Sequence, residues 1–316
     1  FPEKLSPATD AVILGMHARA DNPELLRAQE LGLKIYSYPA YIFEQSRGKK
    51  RVVIGGSHGK TTITGMILHV LRKCGRNFDH LVGAKIEGLN TMVQITDAPV
   101  IVMEGDEYLA SPIDRQPKFL LYQPHIAVIS GIAWDHINVF PTLEDYVAQF
   151  EKFVATIEDD GCLIYNATDG AVATIAQSAP AGIRKIGYSA PPSEVRDGRT
   201  VVKVDDEEFS LQVFGAHNLS NMAAAQAVCQ ELGIDRHEFY RQIASYKGAS
   251  KRLEVVREYD GHITFKDFAH SPSKVAATTA AVKEQYPDRK LVAVLELHTF
   301  SSLNKDFIRL YKGALD

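Results

Sequence analysis

A glycine-rich stretch at residues 55–62, Gly-Gly-Ser-His-Gly-Lys-Thr-Thr, carries the strongest chemical signal in the chain. It lies between a short apolar run and a helical pattern, where a phosphate-binding loop lies. The backbone N–H groups and the helix N-terminus are expected to hold phosphates, with Lys60 reaching the terminal phosphates and the Thr61 hydroxyl binding Mg²⁺. The strict pattern needs glycine at position 54, which is Ile54 here. A glycine-rich turn with an incidental Lys-Thr pair is the alternative, and the flanking strand and helix disfavour it. The predicted loop residues are Gly56, Ser57, His58, Gly59, Lys60, Thr61 and Thr62.

Carboxylates follow the next apolar run, in the sequence Glu-Gly-Asp-Glu at residues 104–107. Hard oxygen ligands at the carboxyl ends of parallel strands suit Mg²⁺, although a solvated acidic loop is the alternative. His136, in an Asp-His pair after the apolar run at 126–129, offers an imidazole ligand. Because the loops after parallel strands meet at one edge of a sheet, Thr61, Glu104 and His136 are expected to reach the same metal ions.

Two later groups of polar residues are weaker signals. Asn218 and Asn221 are three residues apart at the start of a predicted helix, so their amides share a face and can contact a purine edge, on which His217 can stack. Helix capping by Asn218 or Ser220 is the structural alternative. Further on, a Lys-Arg pair at 251–252 and Asp267 lie on or beside predicted strands, and alone they indicate little.

The elements that must position these residues form an α/β pattern. Apolar runs at 52–54, 100–103, 126–129 and 162–165 are typical of strands buried on both faces of a parallel, doubly wound sheet. Before them, residues 11–31 predict one βα unit, with Asn22 as the helix N-cap. After them come a hairpin at 200–213 and helices at 218–232 and 236–246. Beyond a boundary at 246–250, we predict strands at 254–259, 262–268 and 291–297 and a helix at 273–285.

Composition limits the class of protein. The 316 residues suffice for about two domains and part of a third, and 45% hydrophobic with 23% charged residues is typical of a globular protein. With 35 basic and 39 acidic residues, the net charge of -4 argues against nucleic acid as a partner. Three distant cysteines build neither a disulfide framework nor a CxxC metal site, and no apolar run is long enough for membrane insertion or a signal peptide. We therefore expect a cytoplasmic protein.

The motifs, taken in order, resemble the muramyl (Mur) ligase superfamily over essentially the whole chain. The matching pieces are the loop at 56–62, the acidic stretch at 104–107, Asp135-His136, Asn166, His217-Asn218 with Asn221, Lys251-Arg252 and the Asp-Phe-Ala-His stretch at 267–270. The resemblance implies a central P-loop domain with a doubly wound, mainly parallel sheet, flanked by partial Rossmann-like domains. It divides the chain into the remnant of a UDP-binding domain (1–48), the ATP-binding domain (49–247) and the first part of a C-terminal ligase domain (248–316).

The resemblance also implies a reaction and a set of roles. In this family ATP phosphorylates a carboxylate to an acyl phosphate, which an amine then attacks; Mg²⁺ and lysine neutralise the charge repulsion. By resemblance, Lys60 binds phosphates, Thr61 and Glu104 hold one Mg²⁺, and His136 holds a second. Asn166, His217, Asn218 and Asn221 hold the adenine side, and Arg252 and Asp267 close over the nucleotide.

Within the superfamily the chain resembles the branches that act on UDP-N-acetylmuramate. Phe150 stands where several later-acting members carry a carboxylated lysine, which favours these branches. Gly105 and Ser271 depart from the usual Ala and His. The expected amine substrate is the tripeptide L-Ala-γ-D-Glu-meso-diaminopimelate, with free L-alanine as the alternative. The resemblance leaves the oligomeric state open. Hypotheses of other classes are a non-catalytic ATP-binding fragment and an unrelated P-loop phosphotransferase.

Overall fold

The N-terminal part of the chain holds two βα units. The structure is a computed structural model that describes residues 1–134, 139–297, 299, 301–305 and 307–315. The elements of this part are β1 (Val12–Leu14), α1 (Pro23–Glu30), β2 (Ile35–Ser37) and α2 (Tyr38–Ser46), with β1 parallel to β2. Asn22 caps α1 as predicted, accepting from the N–H groups of Glu24 and Leu25. The predicted βα unit at 11–31 is present as β1 and α1. The second unit was not predicted, because β2 is only three residues long and runs directly into α2.

A seven-stranded sheet forms the centre of the molecule. Its strands are β3 (Lys50–Gly55), β4 (Asp79–Leu81), β5 (Val93–Gln94), β6 (Val100–Glu104), β7 (Ile126–Ile129), β8 (Cys162–Asn166) and β9 (Arg184–Tyr188). Their spatial order is β5-β4-β6-β3-β7-β8-β9, and only the β4–β5 pair is antiparallel. The predicted doubly wound, mainly parallel sheet is confirmed. The four predicted strands occupy its middle, where side chains on both faces are buried.

Helices cover both faces of this sheet and form two hydrophobic cores. One core includes residues of the helices α3 (Lys60–Lys73), α6 (Ala216–Glu231) and α7 (Arg236–Ile243). The other includes α4 (Leu143–Ala155) and α5 (Gly170–Ser178), together with Phe119 from a short 3₁₀ helix at Lys118–Leu121. Successive residues of β3 divide between the cores, with Val52 and Ile54 in the first and Val53 in the second. This alternation fixes the register of the strand that leads into the phosphate loop.

A three-stranded antiparallel sheet and a smaller α/β segment complete the chain. The three strands are β10 (Ser193–Arg196), β11 (Arg199–Val204) and β12 (Glu207–Leu211), and the last two are the predicted hairpin. The segment contains β13 (Glu254–Tyr259), β14 (His262–Lys266) and α8 (Pro272–Gln285), and β13 pairs with β14 in an antiparallel hairpin. Short 3₁₀ helices occur at Pro2–Lys4, Ser301–Leu303 and Phe307–Tyr311.

The predicted strand at 291–297 is wrong. Its composition is apolar, but the residues belong to no strand, and Val292 and Val294 are exposed. A strand of this kind is stabilised by hydrogen bonds to a neighbouring strand, and among the described residues none pairs with it. None of the helices formed by the described residues combines the length and apolarity required to cross a bilayer.

Candidate active site

The phosphate loop connects the central strand β3 to α3, as predicted. Its backbone requires glycine at two positions where φ is positive, 127° at Gly56 and 79° at Gly59. A Cβ atom at Gly56 would overlap Ser130, and one at Gly59 would overlap the amide of Asn221. Gly59 is the N-cap of α3, and no side chain caps this helix. The loop therefore leaves the N-terminus of a fourteen-residue helix facing the pocket.

Thr61 and Glu104 meet at the edge of the sheet. The Thr61 hydroxyl donates to Glu104 Oε1 at 2.6 Å, and the N–H of Gly83 donates to Glu104 Oε2 at 2.6 Å. Glu104 ends β6, which lies beside β3 in the sheet, so the expected convergence of these two loops occurs. His136 lies outside the described residues.

The donor set of this pair fits Mg²⁺. A hydroxyl and a carboxylate are hard oxygen ligands, and protein sites for Mg²⁺ commonly supply one or two carboxylates and leave the other positions to phosphates and water. Within the described part of the chain, no group of three His, Cys, Asp or Glu side chains forms a metal cage. The site thus fits a metal that is shared with a phosphate ligand.

Lys60 is held by the loop and by a buried carboxylate. Its Nζ donates to Gly56 O at 2.7 Å and forms an ion pair with Glu107 Oε2 at 2.6 Å. Burial alone would lower the pKa of Lys60, but the charges of Glu107, Asp106 and Glu104 more than offset it, and the pKa is raised. Lys60 is therefore an ammonium ion at neutral pH.

The predicted adenine-side residues lie close together on α6 and at the end of β8. The Asn218 amide donates to Phe214 O at 2.9 Å, and the Asn166 amide donates to Ser130 O at 3.1 Å. Burial lowers the pKa of His217, partly offset by Asp267, so its ring is neutral at pH 7. The capping alternative for Asn218 is wrong, because the N-cap of α6 is Gly215 and no side chain caps this helix.

The segment beyond residue 248 contributes a cation and a carboxylate. The Arg252 guanidinium lies 3.4 Å from Thr61 Oγ1 and 5.1 Å from the centre of the Phe268 ring. Asp267 accepts from the N–H of Leu253 at 2.7 Å, and Leu253 has a positive φ of 47°. Positive φ is unfavourable for a leucine, so this hydrogen bond helps hold the chain that carries Arg252.

The loop, the acidic stretch, α6 and the segment beyond residue 248 all contribute residues to one cavity of about 540 Å³, within the range of small-molecule sites. A contact from the loop to α8, between His58 Nε2 and Ser273 Oγ at 2.8 Å, lies beside it. Every predicted site residue among the described ones lines this cavity except Gly56, which lies at the base of the loop.

Sequence reasoning missed the support behind the loop. Tyr146 on α4 is fully buried, donates to Glu107 Oε1 at 2.9 Å and lies 2.8 Å from Ser57 Oγ. Ser130 donates to the carbonyls of Gly55 and His58. Glu107 was visible only as one of three carboxylates in an acidic stretch, and an isolated Tyr or Ser has no pattern that marks it.

Gly105 and Phe150, two positions noted in the sequence, are both tightly packed. Gly105 packs so closely that an added Cβ would lie 2.7 Å from Val53 Cγ1. Phe150 is fully buried, with its ring centre 5.5 Å from that of Phe119 and 5.3 Å from that of Tyr146. An apolar aromatic cluster thus occupies the position where a carboxylated lysine would stand.

The fold and the cavity define a P-loop protein with a doubly wound α/β central domain. Residues 54–229 match the model of the Mur ligase middle domain, and the chain belongs to the Mur ligase family. It is 33% identical over 307 residues to the UDP-N-acetylmuramate–L-alanine ligase of Caldicellulosiruptor bescii, covering 93% of this chain and 66% of that protein. It is 33% identical over 319 residues to the enzyme of the same name from Arthrobacter sp. strain FB24, covering 98% and 67%. The chain thus spans about two thirds of the length of these relatives.

Solved structures show the same fold. The UDP-N-acetylmuramate-alanine ligase of Thermotoga maritima matches with a TM-score of 0.75 at 21% identity, over 100% of this chain and 71% of that chain. A murein peptide ligase from Psychrobacter arcticus matches with a TM-score of 0.70 at 21% identity, over 98% and 71%.

Proposed function

We propose that this protein takes part in peptidoglycan synthesis or recycling as an ATP-dependent amide ligase, activating the carboxylate of UDP-N-acetylmuramate as an acyl phosphate and joining it to the amine of an L-alanyl group. The observation that carries the proposal is the pairing of Thr61 with Glu104 beside Lys60 in one cavity, because phosphoryl transfer to a carboxylate needs charge neutralisation at that point. The family and the names of its relatives support the rest.

The proposal specifies only an L-alanyl amine, because both candidate substrates carry one. Free L-alanine and the tripeptide L-Ala-γ-D-Glu-meso-diaminopimelate each present an L-alanyl amine. The curated relatives are named for L-alanine, and a structural neighbour is named as a murein peptide ligase. The predicted tripeptide is therefore not favoured over free L-alanine.

The proposed roles come from the family resemblance, and the geometry of the cavity supports them. Lys60 binds the terminal phosphates, while Thr61 and Glu104 hold Mg²⁺, which supplies Lewis-acid neutralisation of phosphate charge when bound. The loop N–H groups and the α3 N-terminus hold the remaining phosphate oxygens. His136 as a second metal ligand stays a prediction that rests on resemblance.

The nucleoside end is proposed to lie against α6 and β8. A neutral His217 offers a ring for stacking, and Asn166, Asn218 and Asn221 lie nearby. Arg252 and Asp267 close the cavity from the last segment. We propose the corresponding division into residues 1–48, 49–247 and 248–316, of which the middle part contains the matched 54–229.

The test is ADP release with Mg-ATP and UDP-N-acetylmuramate, measured separately with L-alanine and with the tripeptide. Release that depends on the sugar nucleotide and on either amine is the expected result, and the preferred amine is the one with the higher kcat/KM. ATP binding without ADP release from any pair, and without UDP-sugar binding, would refute the ligase and indicate a nucleotide-binding module.

A variant of the loop lysine tests the site itself. Lys60→Ala is expected to remove ATP-dependent turnover. Alanine is well tolerated at the start of α3, so the helix content should be kept, but the melting temperature should fall because buried Glu107 loses its ammonium partner. Lys73→Ala, an exposed lysine at the other end of the same helix, is the matched control and should behave as the wild type. Near-normal turnover of Lys60→Ala would show that the loop is not a phosphate site.

A further inference from the structure

A buried chain of polar side chains supports the phosphate loop from behind. It runs from Ser57 in the loop through Tyr146 on α4 to Glu107, and ends at Lys60. Tyr146 and Glu107 are 0% and 1% exposed, and Ser57 is 4% exposed. The chain thus links the beginning of the loop to the lysine at its end, and Tyr146 is its one member that does not line the cavity.

The donors in this chain have a defined direction. An ionised carboxylate only accepts, so the Tyr146 hydroxyl donates its proton to Glu107 Oε1, 2.9 Å away. That hydroxyl can then only accept from Ser57 Oγ, 2.8 Å away, and Ser57 Oγ in turn accepts from the N–H of Ala133 at 2.9 Å. Each hydroxyl thereby has one orientation, and the carboxylate is fixed in place.

The fixed carboxylate determines where the ammonium of Lys60 can be. Of its three N–H groups, one is directed to Gly56 O at 2.7 Å and one to Glu107 Oε2 at 2.6 Å. The third is left for the cavity that the side chain lines. Moving Lys60 away would separate a buried carboxylate from its ammonium partner, which is costly.

We propose that Glu107, oriented by Tyr146, is a positioning residue for the phosphoryl-transfer step: it anchors Lys60 so that one N–H is aimed at the transferred phosphate. The inference rests on the proposed function and adds a residue to it. A carboxylate does not attract a nucleotide, so Glu107 contributes nothing to ATP affinity through its own charge. Its effect is on turnover, because electrostatic stabilisation requires the donor to be in place before charge develops.

The experiment compares Glu107→Gln and Tyr146→Phe with the wild type, using ATP affinity by calorimetry, kcat for ADP release and the melting temperature. Tyr240→Phe, which removes the hydroxyl of another buried tyrosine on α7 outside the cavity, is the matched control. We expect Glu107→Gln to bind ATP at least as tightly as the wild type and to lose about tenfold to hundredfold in kcat. Tyr146→Phe should lose less, and its effect should largely disappear in the Glu107→Gln background, since both act through the same lysine.

Three results overturn the inference. An unchanged kcat in both variants removes the positioning role. A raised kcat shows that Glu107 restrains Lys60 instead of aiming it. A joint loss of ATP binding and melting temperature in both variants shows that the chain only supports the fold. If the wild-type protein itself binds no ATP, the result refutes the proposed function, and it is thereby distinguishable from these three results.

Discussion

Replacing Gly105 with alanine tests how closely the acidic loop packs on the central strand. The added Cβ would lie 2.7 Å from Val53 Cγ1 and 3.2 Å from both Ile54 O and Phe119 Cβ. Carbon atoms pack best at about 3.5 to 4.0 Å, so the methyl group would be about 1 Å too close to a β-branched side chain that is itself fully buried. Overpacking of this kind costs about 1 to 3 kcal/mol. At about 2 to 4 °C for each kcal/mol, the melting temperature should fall by roughly 2 to 12 °C.

A double-mutant cycle with Val53→Ala isolates the contact. Val53→Ala alone removes two methyl groups from the core and is also destabilising. In the double variant the new methyl at position 105 enters the space that Val53 leaves, so the combined loss should be smaller than the sum by about 1 kcal/mol or more. Urea unfolding of the four proteins measures this difference. Gly182→Ala, where an added Cβ has no atom within 4 Å, is the control and should change stability little.

Two outcomes would refute the reasoning. Additive losses within about 0.5 kcal/mol would show that Val53 and the new methyl do not collide. A wild-type stability of Gly105→Ala would show that the loop at 104–107 moves easily, which would also weaken the argument for a fixed Glu107.

Three further changes test the metal ligand, the base of the sheet and the response to pH. Glu104→Gln should raise the Mg²⁺ concentration for half-maximal turnover about tenfold, and an unchanged titration would reject the ligand. Arg51→Lys should cost about 3 kcal/mol in urea unfolding, because the buried guanidinium donates to five backbone carbonyls and to Glu158; a loss below 1 kcal/mol would contradict this. Burial lowers the pKa of His69, so the unfolded chain takes up its proton first as pH falls. Stability should therefore decline below about pH 6.5, and less steeply in His69→Gln; equal slopes would exclude His69 as a cause.

The middle of the sheet was predictable because its strands are buried on both faces. Residues 52–54, 100–103, 126–129 and 162–165 are continuous apolar runs, and only such runs fill a parallel sheet between two helical layers. The edge strands gave no such signal. In β4, Asp79 is fully buried and forms an ion pair with Lys49 at 2.8 Å, so a charged residue stands where a pattern search expects an apolar one. The partner of Asp79 is thirty positions away in the sequence, so a search for local hydrophobic periodicity cannot detect the pair.

The same distinction applies to the site. The meeting of Thr61 and Glu104 was predictable because the loops that follow parallel strands lie at one edge of the sheet. Whether Glu107 reaches Lys60 depends on the turn at Gly105, which in turn depends on how Val53 and Phe119 pack beneath it. Sequence motifs identify which groups can do chemistry, whereas packing decides where they point.

Packing of this kind also explains how the loop at 55–62 forms with Ile54 at the position of a motif glycine. The motif glycine allows a backbone turn, but Ile54 here is still part of β3 and is fully buried in the core. The turn begins later, at Gly56, where Ser130 from the end of β7 occupies the space that a side chain would need and donates to the carbonyls of Gly55 and His58. Ser130, at the end of the neighbouring strand β7, therefore helps to fix the backbone turn, which the motif glycine helps to form in loops that match the strict pattern. It follows that Ser130, although absent from every motif, contributes to the shape of the loop as directly as the glycines do.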